Sequence, residues 1–287
     1  MSFTRHEPPF LSETQLIAFV DGVDTQYSAS IERASFAANA QGKFTLPAGM
    51  FVAETGGVRS LLKRANITQA FVGVEGFVDL WQLFAVGDQL TIVEPYIRLT
   101  VTALSVGTNV TFAIDDHSEV FTFAGTIGAT PTDAATEIAG WITRTSRVMS
   151  QYVTAIALGP NVHLFASDGF TRHTIGVTGG TIALSFGDGK MHIDEPFGTI
   201  AQIDNRAEPG KITLASAPTH PLPVGAHLGV PAKRIFGFIN NSIDLTYTDR
   251  ENFAIVSGAN GVYEGKLPYI DADIKRQTPE IKYEHNF

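Results

Sequence analysis

Five short apolar runs follow one another between residues 151 and 198, and each run ends at a glycine. They read QYVTAIALG, NVHLFASDG, RHTIGVTGG, TIALSFGDG and KMHIDEPFG, so a turn signal recurs about every ten residues. Short runs of this kind, separated by glycine-containing turns, are typical of β-strands. The spacing predicts a set of antiparallel strands, and this pattern constrains the fold more than any other feature of the chain.

A hairpin is predicted just before these runs. Val110, Phe112 and Ile114 alternate with polar or small residues, the letters DDHS follow, and apolar residues return at 120–123. Alternation with a period of two places the apolar side chains on one face of a strand. We therefore expect a hairpin with one buried face.

One amphipathic helix is predicted over residues 130–145. Thr130 can accept a hydrogen bond as the N-cap, Pro131 suits the first helical position, and Asp133 completes a capping-box pattern. Apolar residues recur on one face of this helix. They are Ala134, Ile138, Trp141 and Ile142.

The fold class expected from these signals is mainly β, with antiparallel β-rich domains, tight Gly/Pro turns and one amphipathic helix in a small inserted α+β module. The strands are expected to form a β-sandwich. Residues 43–57 and 220–234 share a Leu-Pro-x-Gly pattern. This repeat favours packing of the N-terminal part of the chain against the C-terminal part, with a module inserted between them. The predicted parts are an N-terminal β segment (1–88), an inserted module (89–205), a C-terminal β segment (206–263) and an extended C-terminal arm (264–287).

The predicted arm carries large apolar residues with no helical or strand period. A solvated tail usually has fewer such groups. We interpret the segment as an extended arm that packs against another surface, and the alternative is a disordered or self-packed terminus. The candidate interaction residues are Leu267, Tyr269, Ile270, Ile274, Ile281, Tyr283 and Phe287.

Charge and composition exclude several classes of partner. The net charge is -9, and adjacent basic residues occur only as the pairs 63–64, 233–234 and 275–276, so no nucleic-acid partner is expected. The chain has no cysteine, which excludes disulfides and thiolate ligands. The start MSFTRHEPPF lacks the apolar core of a secretion signal, and no apolar stretch is long enough to span a membrane, so no membrane partner is expected.

No familiar catalytic motif occurs in the sequence. Patterns such as GxSxG, HExxH, GxGxxG and the phosphate-binding GxxxxGK[ST] are all missing, and GDGK at 187–190 is interpreted as a hairpin turn. We expect no enzymatic activity, no metal and no cofactor. Most phenylalanines lie inside apolar strand runs, so we assign them to the core rather than to a sugar-binding surface.

Three polar clusters could in principle hold a metal ion or move protons, and we interpret all three as polar turns. His163 is interpreted as an ordinary strand residue, and His220 and His227 have no acid at close spacing. The clusters are Asp115, Asp116, His117 and Glu119; Asp188, His192, Asp194 and Glu195; and Asp168, Arg172 and His173.

Three stretches carry a resemblance to a known class of proteins. TLPAGMFVAETGGVRSLLKRANIT resembles a segment of the head-decoration proteins of tailed phages, with its Pro-x-Gly turn and short strands. NVTFAIDDHSEVFTFAGTIGATPTDAATEIAGWI is similar to a module of phage virion structural proteins, and VYEGKLPYIDADIK resembles their closing segment. The chain departs from simple decoration proteins in being much longer.

The resemblance implies a non-enzymatic capsid decoration or cement protein, with no catalytic residues to carry over. It implies a homo-oligomer, with the trimer as the expected form, and the major capsid protein as partner. The expected location is the capsid surface of the virion, after assembly in the host cytoplasm. Two alternatives stay open, namely a phage tail or fibre component that binds host surface glycan, and an enzyme such as a polysaccharide depolymerase.

Overall fold

The strands and helices are taken from a computed structural model, which describes residues 21–24, 27–55, 57–206, 208 and 210–284. Strands take up 46% and helices 13%, which confirms the mainly β fold class. The strands are β1 (Asp21–Asp24), β2 (Tyr27–Glu32), β3 (Thr45–Leu46), β4 (Phe51–Thr55), β5 (Val58–Leu61), β6 (Arg64–Val72), β7 (Glu75–Val78), β8 (Gln89–Ile92), β9 (Tyr96–Ala103), β10 (Asn109–Ile114), β11 (His117–Thr122), β12 (Val153–Leu158), β13 (Asn161–Ala166), β14 (Ile175–Thr178), β15 (Thr181–Leu184), β16 (Glu195–Asp204), β17 (Lys211–Leu214), β18 (His227–Gly229), β19 (Arg234–Phe238), β20 (Ile243–Asp244), β21 (Arg250–Ile255), β22 (Gly258–Tyr263) and β23 (Ile281–Glu284). The helices are α1 (Pro131–Arg144), α2 (Met149–Tyr152) and α3 (Ala272–Gln277).

A closed six-stranded barrel is present in place of the expected sandwich. Its strand order is β16-β17-β7-β6-β18-β8, so strands from residues 64–92 and from residues 195–229 close one barrel. Ile67, Leu90, Ile212 and Leu228 are among the buried side chains that fill its core. Closure removes the unpaired edges that an open sheet of these strands would expose.

Outside the barrel, early strands again pair with late ones. β4 pairs with β5 on one side and β19 on the other, β2 pairs with β21, and β3 pairs with β20. The N-terminal and C-terminal β segments therefore share their sheets, and most of the chain between them, residues 97–191, forms a second unit.

The central unit has a hydrophobic core of its own. Two antiparallel sheets, β11-β10-β14 and β12-β13-β9-β15, and helix α1 surround this core. Its buried residues run from Ile97 to Met191. β8 and β16 fall inside the predicted 89–205 module but are barrel strands, so the second core is narrower than that module. Strand patterns identify strands without specifying which sheet each strand joins.

The predicted hairpin and helix are both confirmed. β10 pairs with β11 in register, and the three alternating side chains Val110, Phe112 and Ile114 are fully buried. At the start of α1 the Thr130 side chain accepts from the backbone N–H of Asp133, whose carboxylate accepts from the backbone N–H of Thr130. This capping box satisfies backbone donors that the first helical turn leaves without partners.

The segment predicted to be an extended arm is instead folded against the rest of the chain. Residues 264–284 contain a 3₁₀ turn (Glu264–Lys266), α3 and β23, and β23 pairs in parallel with β22. The mixture of turn, short helix and short strand explains why no single period appears in the sequence. The self-packed alternative describes the segment better than the arm does.

Candidate functional site

The predicted interaction residues lie mostly in a third hydrophobic core. Leu267, Tyr269, Ile274 and Ile281 are buried there against strands β4, β19 and β22, whereas Ile270 and Tyr283 are half-buried at its border. Phe287 lies outside the described residues. The buried side chains of this set contact their own chain, so they are not available as a binding surface in this fold.

A buried ion network connects this C-terminal segment to the barrel. The guanidinium of Arg64, at the start of β6, donates to Oδ2 of Asp271 at 2.6 Å and to Oδ2 of Asp273 at 2.8 Å. Asp271 also caps α3 by accepting from the backbone N–H of Ile274. The network therefore fixes the start of α3 to the barrel wall.

The charges of this network stabilise one another. Burial opposes the charged form of Arg64, but Asp271 and Asp273 together raise the pKa of its guanidinium above its ordinary value. Burial likewise opposes ionisation of Asp273, and the hydrogen bond and charge of Arg64 lower the pKa of its carboxyl. Each partner holds the other in its ionised form.

A pocket of about 220 Å³ lies beside this network, where the barrel, the central unit and α3 meet. We call it the junction pocket. Glu94 and His227 line it from the barrel, Ser167 and Gly169 from the central unit, and Asp271 from the C-terminal segment. A Cβ on Gly169 would lie 2.8 Å from the Cβ of Ala272, so only glycine permits this contact between the central unit and α3.

Glu94 is a buried acid of the junction pocket. Burial raises the pKa of its carboxyl, although His227 opposes the shift by charge and by a backbone N–H that donates to Oε1 at 3.2 Å. The Nδ1 atom of His227 lies 2.9 Å from the hydroxyl of Tyr269. Burial raises the pKa of that hydroxyl too. An acid of this kind can hold a proton or bind a polar ligand, and such groups cluster at functional sites.

Two of the sequence-predicted clusters are brought together by the fold. His173 Nδ1 lies 2.7 Å from Asp115 Oδ2, and the backbone N–H of Thr174 donates to the same carboxylate. Burial opposes ionisation of Asp115, but these two contacts lower the pKa of its carboxyl. Glu119 lies apart from this pair and accepts from the hydroxyl of Ser146. These carboxylates connect turns and strand ends.

The cluster around His192 forms a compact surface group. His192 Nδ1 lies 2.8 Å from Glu195 and Nε2 lies 3.2 Å from Asp188, while the ring stacks on Phe186. Asp194 belongs to the backbone turn instead, where its N–H donates to the carbonyl of Ile92. Both imidazole nitrogens are engaged by carboxylates. Over the described ranges, no group of three or more His, Asp or Glu residues could hold a metal ion.

His163 is the residue that the sequence interpretation underestimated. It is fully buried on β13, and its Nδ1 lies 3.0 Å from the hydroxyl of Tyr96. Burial, with smaller effects from Arg98 and His220, lowers the pKa of the imidazole to about 4. The sequence signal for this burial is the pair of apolar neighbours, Val162 and Leu164. A strand with one exposed face would alternate apolar and polar residues, whereas a strand buried on both faces carries a continuous apolar run.

This histidine predicts a pH dependence of stability. Its pKa is about 4 in the folded state against 6.5 ordinarily, so the unfolded chain binds the extra proton between these values. His163 therefore contributes on the order of 3 kcal/mol to the free energy of unfolding above about pH 6.5, and this contribution is lost as the pH falls toward 4. The free energy of unfolding, measured with denaturant at several pH values in this range, is expected to depend less steeply on pH for His163→Gln than for the wild type. An unchanged slope would contradict the prediction, and His117→Gln, at an exposed position, is the control.

Comparisons with known proteins give only a distant structural similarity. No protein-family model matches it, and no curated protein matches it. Among solved structures, a chain from Mycobacterium phage Patience is similar at 11% identity and a TM-score of 0.27, and the alignment covers 75% of this chain and 95% of that chain. A TM-score this low does not establish a shared fold, so nothing is carried over from that neighbour. In the part of the chain that the structure describes, every helix is too short or too polar to serve as a membrane span.

Proposed function

We propose that the chain is a phage virion structural protein that acts by binding rather than by catalysis. Its most specific form is a capsid decoration or cement protein, acting as a homo-oligomer, with a trimer as the expected form, on the major capsid protein. The proposal includes location on the virion surface and no partnership with nucleic acid or membrane. It begins from the three stretches that resemble virion proteins, which lie in β3 to the start of β6, in the central unit and in the C-terminal segment.

The observation that carries this proposal is the structural use of a buried ion network. Arg64, Asp271 and Asp273 neutralise one another and fasten the C-terminal segment to the barrel. We infer that this buried ion network specifies one arrangement of the barrel and the C-terminal segment, a role that such networks have in some proteins. A cement protein needs a scaffold of fixed shape that presents the same surfaces to each lattice neighbour, because repeated weak contacts then add up by avidity.

Particle binding tests the proposal. The purified chain is mixed with capsids of its own phage prepared without it, sedimented, and located by electron microscopy of a gold-labelled chain. We expect saturable binding at positions that repeat with the capsid lattice, and capsids that already carry the chain are the control. Absence of the chain from purified virions would contradict the proposal.

A tail or fibre component that binds host glycan is the second candidate, and one feature favours it. Phe170 is 43% exposed close to the junction pocket, on the same loop as Gly169. An exposed ring beside carboxylates is a common arrangement for stacking on a sugar and accepting from its hydroxyls. Gold label on the tail rather than the capsid, together with binding to host glycans, would favour this candidate.

A further inference from the structure

A row of charged side chains crosses the three-stranded sheet β19-β4-β5. Arg234 on β19 lies opposite Glu54 on β4, and Glu54 lies opposite Arg59 on β5. Residues that lie directly opposite in a sheet share one face. The two arginines therefore flank a single glutamate on the same face.

Aromatic rings support both arginines. The guanidinium carbon of Arg59 lies 4.5 Å from the ring centroid of Phe236 and 5.1 Å from that of Tyr27, and the guanidinium carbon of Arg234 lies 4.9 Å from the Phe236 centroid. Phe236 and Tyr27 also contact each other edge to face. A guanidinium placed over a ring keeps its N–H donors at its edge, so the rings fix the cations without using those donors.

The two guanidiniums are not neutralised within the described ranges. No carboxylate there comes within ion-pair distance of Arg59 or Arg234, and neither side chain has a hydrogen-bond partner. Glu54 pairs with Lys233 at 3.7 Å instead. Three cations thus surround one carboxylate, in a chain whose net charge is -9. This local excess of positive charge attracts an anionic group.

The form of the site favours carboxylates over nucleic acid. Phe236 is only 6% exposed and its ring is covered by the arginines, so a base has no free ring on which to stack. The overall acidity also opposes a polyanion. A carboxylate, in contrast, accepts two parallel N–H groups from one guanidinium, and its planar geometry matches the fork.

A groove of about 320 Å³ lies beside this row, between β2 and β5, lined by Ser30 and Glu32 of β2 and by Val58 and Ser60 of β5. Arg59 does not line the groove, whereas the carboxylates of Glu32 and Asp88 do. An acidic ligand is therefore expected on the sheet face that Arg59 and Arg234 share, and not in the groove.

We propose that Arg59 and Arg234, held over Phe236, form a receptor for the carboxylates of an acidic polypeptide segment of a partner protein. This inference goes beyond the proposed function, because it assigns a binding site and the chemistry of its ligand. We call the site the arginine receptor.

The test measures binding of a short fluorescein-labelled peptide of alternating Glu and Thr residues by fluorescence anisotropy at low and physiological salt. The wild type is expected to bind it and not the matched peptide with Gln in place of Glu. Arg59→Gln/Arg234→Gln is expected to lower the affinity by about tenfold or more, because charge-assisted pairs are lost. Arg59→Lys/Arg234→Lys keeps the charge without the fork, so a smaller loss is expected.

Arg144→Gln/Arg206→Gln is the matched control, since it removes the same charge at two other exposed arginines. Thermal unfolding of each variant verifies that it is folded. No binding by the wild type, an equal loss in the matched control, or tighter binding of a labelled single-stranded DNA would overturn the receptor. A further outcome is that the wild type binds no peptide but self-associates, and that Arg59→Gln/Arg234→Gln abolishes this self-association. The occupant of the site would then be a second copy of the chain, and the assignment to a separate partner would be overturned. The assay contains no capsids, so failure of the receptor and failure of the proposed function are distinguishable.

Discussion

A chain that ends before Glu264 is expected to lose its cooperative unfolding transition. The deletion removes four buried side chains of the third core, namely Leu267, Tyr269, Ile274 and Ile281. Burial of each large apolar side chain contributes about 1.5 to 3 kcal/mol. It also removes both carboxylates that neutralise the buried Arg64. Together these losses are comparable with the whole stability of a domain, which is about 5 to 15 kcal/mol.

Near-ultraviolet circular dichroism and thermal unfolding measure the effect of this deletion. A chain that lacks only residues 285–287 is the control, because it keeps β23 and the whole third core. An extended arm would give the opposite result, with unchanged unfolding and weaker attachment to particles. A truncated chain as stable as the full one would therefore contradict the packing of residues 264–284 against the body.

Local signals explain which parts of the fold could be predicted from sequence. The β10–β11 hairpin and the capping box of α1 depend on residues a few positions apart, so their patterns are readable along the chain. The two Leu-Pro-x-Gly stretches are also local: Gly49 and Gly225 both adopt positive φ, at 84° and 89°. These stretches share a bend, as the sequence indicated.

Contacts between distant residues explain what could not be predicted. Arg64 is separated from Asp271 by 207 positions and from Asp273 by 209, so no spacing pattern connects them. The same holds for Glu94 and His227 in the junction pocket. The apolar residues after 264 lack a period because a 3₁₀ turn, a short helix and a short strand follow one another there. Barrel closure is likewise a property of pairing between both ends of the chain, which strand patterns do not encode.

Replacement of Arg64 by methionine is expected to destabilise the fold by about 3 to 5 kcal/mol, the usual cost of breaking a buried ion pair. Asp271 and Asp273 have side chains only 11% and 8% exposed, so both charges would remain buried without the guanidinium. Arg276→Gln is the matched control. It removes an exposed arginine that pairs with the same Asp273, and a loss of about 0 to 1 kcal/mol is expected. Urea unfolding at neutral pH measures both variants.

The pH dependence of stability distinguishes a charge effect from a packing effect in the Arg64→Met variant. The carboxyl of Asp273 has a lowered pKa in the wild type, against an ordinary value of 3.8, so its contribution is present above about pH 4 and is lost as the pH falls below it. In the variant Asp273 keeps only its more exposed partner Arg276, so protonation of its carboxyl relieves the loss of Arg64 as the pH falls. The stability difference between the two chains is therefore expected to narrow as the pH falls. A difference that stays constant with pH would mean that Arg64 acts by filling space. The triple variant Arg64→Met/Asp271→Asn/Asp273→Asn removes all three charges. We expect it to regain part of the stability that Arg64→Met loses, because no charge then stays buried without its partner. If Arg64 acts by filling space, the triple variant would regain none of that stability.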